Sequence, residues 1–175
     1  MINNVFIRLN VGNKIGIGHL KRCLRLADEF SKKNIDCFIV SDKKNSKIEI
    51  NHKIHYLYDG KNEYINEKKF IKAIEPLDCG YVLLDDYRLG YTWQKYVSKY
   101  TKKIILIDDF LTKNYADIII NYSLRQKYDY QNKISKKNVK LLTGINYASF
   151  DKFKSKNLIQ SNRFNITFYF GGGFD

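Results

Sequence analysis

Proline is nearly absent from this 175-residue chain, and cysteine is scarce and odd in number, at Cys23, Cys37 and Cys79. An odd, scattered set builds no disulfide framework, and no two of the three have zinc-ligand spacing. Cys23 falls on the apolar side of a helical segment and Cys37 inside a strand-like run. Both read as reduced core thiols of a cytoplasmic protein. No stretch of about 18 apolar residues exists, so no transmembrane helix is expected. The first residues lack the basic-then-apolar order of a secretory signal. Internal repeats and low-complexity segments are missing too. Acidic groups are outnumbered, 18 against 31 Lys and Arg, for a net charge of +13. The surplus is spread along the chain in pairs such as Lys32-Lys33, Lys68-Lys69 and Lys136-Lys137. It accompanies abundant Asn, Ile, Tyr and Phe, the joint bias of an AT-rich coding sequence. No nucleic-acid-binding motif goes with it, so nucleic acid is not an expected partner. A modest attraction to phosphorylated ligands remains.

What is present is enough apolar material, 44% of residues, for one domain with a proper core. The chain is organised around residues 5–30. Val5–Leu9 is β-prone, Gly12, Gly16 and Gly18 supply a tight turn, and Leu20, Cys23, Leu24, Leu26, Ala27 and Phe30 recur at helical spacing. The turn does not fit G-x-G-x-x-G, because Lys21 occupies the third glycine position, and it is not a P-loop. It sets His19 at or near a helix N-terminus, where free N–H groups and the positive dipole end gather. That field disfavours imidazolium, so a neutral, proton-accepting imidazole is expected there. With Lys21 and Arg22 one turn on, the corner suits a phosphate-bearing ligand beside a base. The same spacing also fits a plain strand-to-helix turn.

Further strands are expected at Asp36–Val40, Lys53–Tyr58, Tyr81–Leu84, Ile104–Ile107, Ala116–Ile120, Lys140–Thr143 and Phe164–Phe170. Helices are expected over Glu63–Glu75, stopped by Pro76, and over Tyr91–Tyr100 with Trp93, Tyr96 and Val97 inward. Leu124–Asn138 is polar and basic and reads as an exposed loop with some helix. Residues 151–162 are the best linker candidate. Short apolar runs alternating with helical segments argue an α/β, Rossmann-like, mostly parallel sheet with helices on both faces. Ligands of such sheets bind at the carboxyl ends of the strands. Those ends collect His19, then Asp85, Asp86 and Tyr87, then Asp108 and Asp109, then Asn121. Any one of these acids also fits a turn or helix cap; the repetition at successive strands is what singles out the rim.

Ile15-Gly16-Ile17-Gly18-His19-Leu20-Lys21-Arg22, after a strand carrying Arg8, resembles the signature of the UDP-sugar hydrolases of the pseudaminic-acid pathway. Leu83-Leu84-Asp85-Asp86-Tyr87, Ile107-Asp108-Asp109, Ala116–Asn121, Gly144-Ile145-Asn146-Tyr147-Ala148 and Gly172-Gly173-Phe174-Asp175 resemble that family's later blocks, in the same order. Asn10 stands where the family carries an aspartate. The resemblance implies the N-terminal half of a GT-B fold, similar in build to the MurG glycosyltransferase. Residues 1–160 would form a Rossmann-like domain, and residues 161–175 a linker with the first strand and glycine loop of a second domain. Most of the UDP would lie in a C-terminal nucleotide-binding domain missing from this chain.

The activity so implied is hydrolysis of a UDP-linked diacetamido-trideoxy sugar. His19 would activate water, and Asp86 and Tyr87 would orient water or sugar. Arg8, Asn10, Gly16, Gly18, Arg22, Asp85, Asp109, Asn121, Tyr147, Gly171, Gly172 and Gly173 would contact substrate. The scheme requires no cofactor and no metal. The 175-residue form is expected to be inactive by itself. A MurG-type glycosyltransferase, or a non-catalytic sugar-binding or partner-binding domain, are the alternatives.

Overall fold

The computed structural model describes residues 4–11, 18–42, 50–57, 67–77, 80–124 and 127–149. Seven strands form one sheet: β1 (Asn4–Leu9), β2 (Asp36–Ser41), β3 (Lys53–Tyr56), β4 (Tyr81–Asp85), β5 (Lys103–Ile107), β6 (Ile118–Asn121) and β7 (Lys140–Thr143). Their spatial order is β3-β2-β1-β4-β5-β6-β7, and every pair is parallel. The chain runs outward from β1 to β3, returns, and runs outward again from β4. The direction of winding therefore reverses between β1 and β4, and a crevice opens there at the carboxyl ends. The fold is α/β and Rossmann-like, as the alternation of segments suggests.

A parallel sheet covered on both faces needs strands apolar on both sides. β1 (NVFIRL) and β4 (YVLLD) meet that requirement, with all but their first residues buried. Successive side chains leave a strand on opposite faces, so each strand feeds two cores. One face gathers Val5, Ile7, Leu9, Ile39, Leu83, Ile105 and Ile107 beneath α1 (Gly18–Ser31), through Leu20, Cys23 and Ala27. The opposite face gathers Phe6, Val40, Val82, Leu84, Ile104, Leu106 and Ile119 beneath α2 (Glu67–Ile74) and α3 (Tyr91–Val97), through Phe70, Ile71, Ile74, Trp93 and Val97.

Element ends differ from the sequence expectation by a few residues. β2, β4 and β6 each run one residue further, to Ser41, Asp85 and Asn121. β3 stops at Tyr56 and α3 at Val97, where the Ser98 N–H closes the last turn on the Gln94 carbonyl. Pro76 lies inside a 3-10 turn, Glu75–Leu77, that finishes α2. The segment read as an exposed loop contains a 3-10 turn, Lys127–Tyr130, and Tyr130 is fully buried in the α2/α3 core. The strand expected at Phe164–Phe170 and the linker at 151–162 lie outside the described residues, as does Cys79.

Two glycines are dictated by geometry. A Cβ on Gly80 would sit 2.7 Å from both the carbonyl oxygen and Oδ1 of Asn4, whose side chain clasps the approach to β4. Gly144, just past β7, holds φ at 101°, a region L-residues rarely adopt. Among the described residues no helix is long and apolar enough to cross a membrane.

Candidate active site

The strand period sorts the rim. Residues at the strand tips leave alternately toward the α1 face and the α2/α3 face, and each face assembles its own charged cluster.

On the α1 face, His19, Arg22 and Cys23 share one side of the helix at i, i+3 and i+4. All three reach Asp85 at the tip of β4. His19 Nδ1 lies 2.8 Å from Asp85 Oδ1. Arg22 Nε donates to Oδ2 at 2.5 Å, Nη2 donates to Oδ1, and the Cys23 thiol approaches Oδ2 at 3.4 Å. Burial would raise the carboxyl pKa, but the hydrogen bonds and charges of Arg22 and His19 outweigh it and hold the pKa below the ordinary value. An ionised Asp85 can only accept, so it favours the tautomer in which Nδ1–H donates to it and Nε2 points away from the carboxylate. Arg22 Nη2, at 3.2 Å from Nδ1, is a second donor to the same carboxylate. The helix carries no acid in its first turn, so Asp85 supplies the negative charge near its positive end.

Arg22 extends the cluster across the sheet. Its Nη1 donates to Asp109 Oδ2 at 2.9 Å, beyond β5, and to the Tyr122 hydroxyl, beyond β6. Burial works against the guanidinium's charge, yet Asp85 and Asp109 raise its pKa above the usual arginine value. The Tyr87 hydroxyl donates to Asp109 Oδ2. Burial, and then Asp109, push the phenol pKa upward, so it stays protonated. The Tyr87 ring meets His19 edge-on at 4.7 Å and Phe110 edge-on at 4.5 Å. The side chain of His19 is 24% exposed, and Tyr87 and Phe110 are more open still at 41% and 64%. The open side of this cluster therefore presents an imidazole edge, a phenol and a phenyl ring. Beneath them lies an ion-paired floor.

On the α2/α3 face, Arg8, Asp42, Asp86 and Arg88 form the second cluster. Arg8 Nη1 donates to the Leu9 carbonyl at 2.7 Å, and Nη2 donates to Asp42. Asp86 Oδ2 lies 3.7 Å from Nη1. Arg88 grips Asp86 through Nε at 2.8 Å and Nη2 at 2.6 Å, and reaches Asp42 at 2.5 Å. Arg8 is completely buried and its Nε has no partner. Burial outweighs Asp42 and Asp86 and lowers its pKa.

These placements revise several sequence-level roles. Arg8 is sealed beneath the rim and cannot touch phosphate. Arg22 and Asp85 are spent on each other and support His19 from below. Asp86, expected to orient water or sugar, is buried under Arg88 on the other face, and it is Asp85 that lies against the imidazole. Asn121 is buried, donating to the Tyr130 hydroxyl at 2.9 Å and accepting from Ser123 N and Oγ. Asp108 closes its own loop by accepting from the N–H groups of Phe110 and Thr112. His19, Tyr87 and Asp109 do come together. Gly18 opens α1, and a Cβ there would meet nothing within 4 Å. Asn10 follows β1 half-buried, and Tyr147 stands half-exposed on a 3-10 turn after β7. Gly16, Gly171, Gly172 and Gly173 lie outside the described residues.

Asp42, Arg88, Phe110 and Tyr122 were missed. Asp42 and Tyr122 each follow a strand tip, the same signal that marked Asp85 and Asp109. Phe110 and Arg88 carried no such mark. Among the described residues no group of His, Cys, Asp and Glu is arranged to hold a metal ion.

Comparison of the sequence with protein-family models gives no match, and comparison with curated proteins gives none either.

Proposed function

We propose that the β1/β4 crevice hydrolyses a UDP-linked diacetamido-trideoxy sugar, with His19 as general base. The observation that carries this reading is the contact between His19 Nδ1 and Asp85 at the topological switch point. An imidazole whose Nδ1–H is held by a buried carboxylate presents Nε2 to water in a fixed direction. In the proposed step the oxygen of water bonds to the anomeric carbon and its proton passes to Nε2. The bond from that carbon to the phosphate oxygen breaks, and UDP leaves with the electron pair. UDP is a good leaving group once its charge is matched, so no second carboxylate need act as general acid, in contrast to ordinary glycosidases. Tyr87 and Asp109 stand where they can orient the sugar or the water. The collinear motifs supply the substrate class and assign the bulk of the UDP contacts to a C-terminal nucleotide-binding domain of a GT-B enzyme.

The test is UDP release by the protein carrying that domain, compared with its His19→Ala variant. A loss of about 100-fold or more is expected. Near-normal turnover would remove His19 from the role. Sugar transfer to an acceptor with no free sugar released would replace hydrolysis by glycosyl transfer on the same fold.

A further inference from the structure

A cavity of about 400 Å³ opens between the N-terminal ends of α2 and α3, on the sheet face opposite His19. This is within the size range of small-molecule sites. Its wall includes Glu67, Arg88, Tyr91, Thr92, Trp93 and Tyr96. We propose that this cavity is a carbohydrate site that takes a neutral pyranose ring through its aromatic lining and a paired donor and acceptor. The proposal does not depend on the reading of His19.

Four observations carry it. Three aromatic residues, Tyr91, Trp93 and Tyr96, line one small space, and aromatic side chains supply the apolar contact that the C–H side of a sugar ring needs. Arg88 uses Nε and Nη2 on Asp86 and Asp42, whereas its Nη1 has no partner among the described residues. A guanidinium clamped at one edge is a pre-aimed donor at the other. Glu67 makes no hydrogen bond or ion pair among the described residues, so its carboxylate is a ready acceptor for hydroxyl protons. Finally, the indole Nε1–H of Trp93 is buried without a partner, although Trp93 packs tightly on Phe70 at 5.1 Å. An unsatisfied buried donor on a residue of the cavity wall is a feature that packing alone leaves unexplained. The opposed charges of Arg88 and Glu67 disfavour a simple anion and fit vicinal hydroxyls, which both donate and accept.

The chain supplies its own reporter, because Trp93 is its single tryptophan. N-acetylglucosamine titrated into the protein is expected to change the indole emission saturably, with a dissociation constant in the millimolar range. Glycerol and inorganic phosphate, titrated alongside, should give no saturable change. Glu67→Gln and Tyr91→Ala, both half-buried at helix starts, should keep the far-ultraviolet circular dichroism of the parent and weaken the sugar response by about tenfold or more. No saturable response to the sugar would overturn the proposal. So would a response equal in parent and both variants, or one that phosphate alone reproduces.

Discussion

Nδ1 of His19 and Oδ1 of Asp85 stand 2.8 Å apart, although 66 positions separate the two residues in the chain. Register makes the contact possible. β1 and β4 are neighbours with Leu9 paired to Asp85, and α1 rises from the end of β1 directly over that pair. Four donors from one helix face converge on one carboxylate, so Asp85 holds the helix start, the guanidinium and the imidazole together.

Replacing Asp85 by Asn keeps the shape and removes the charge. The amide offers protons where Arg22 and His19 already donate, and it leaves Arg22 partly uncompensated. A loss of about 3 kcal/mol is expected from urea denaturation at neutral pH, as for a broken buried ion pair. On the proposed mechanism UDP release falls by about 100-fold or more as well. A variant as stable as the parent would mean that the ion pair contributes little net.

Two carboxylates predict opposite pH trends. The Asp85 pKa is depressed in the fold, so its stabilising contribution is complete above the unfolded value of about 4 and is lost as pH falls through the folded pKa. The deficit of Asp85→Asn should therefore shrink as pH falls below about 4. Burial raises the Asp108 pKa, against the hydrogen bonds from Thr112 and Phe110, so ionisation there costs stability as pH rises past about 4. The stability of Asp108→Asn relative to the parent should rise over the same climb. Denaturation midpoints measured across this range check both signs.

Glycine substitutions separate folding from access. Gly144→Ala is expected to cost about 1–3 kcal/mol because its φ of 101° is strained for any Cβ-bearing residue. Gly18→Ala should stay within about 0.5 kcal/mol, since the added methyl meets nothing. Its methyl would nevertheless stand one residue from His19, and on the proposed mechanism UDP release falls by about tenfold or more. Unchanged release would show that substrate does not use the space above Gly18.

Phe110 is 64% exposed and rests on Tyr87. Its loop is clamped by Asp108 and carries Leu111 at a φ of 57°, a left-handed conformation uncommon for leucine. A loop held this firmly presents the ring rather than hiding it. Phe110→Ala should leave the melting temperature near the parent's and, on the proposed mechanism, raise KM for the UDP-sugar by about tenfold with kcat nearly kept. A large loss of stability instead would make Phe110 a packing residue.

Much of the architecture was legible because parallel strands buried on both faces write themselves as short apolar runs, as in VFI, YVLL and IILI. The rim was legible for the same reason: polar residues begin where each run ends. What periodicity could not give was the side of the sheet each rim residue takes. Ending β4 at Leu84 left the directions of Asp85 and Asp86 open, and the additional ladder residue decides that Asp85, not Asp86, lies under the imidazole. Arg8 looked like a ligand group because it is charged at a strand end, whereas pairing with Asp42 buries it completely. Tyr130 sat in a stretch too polar to announce a core residue. It is buried through a tertiary contact with Asn121 that no local pattern encodes.

Asp85 and Asp86 share a peptide bond yet project through opposite sides of a layer one strand thick. Main chain, rather than distance, insulates the imidazole's surroundings from those of Arg88. A substitution on the Arg88 side can accordingly be made without touching a hydrogen bond of the partnership under His19.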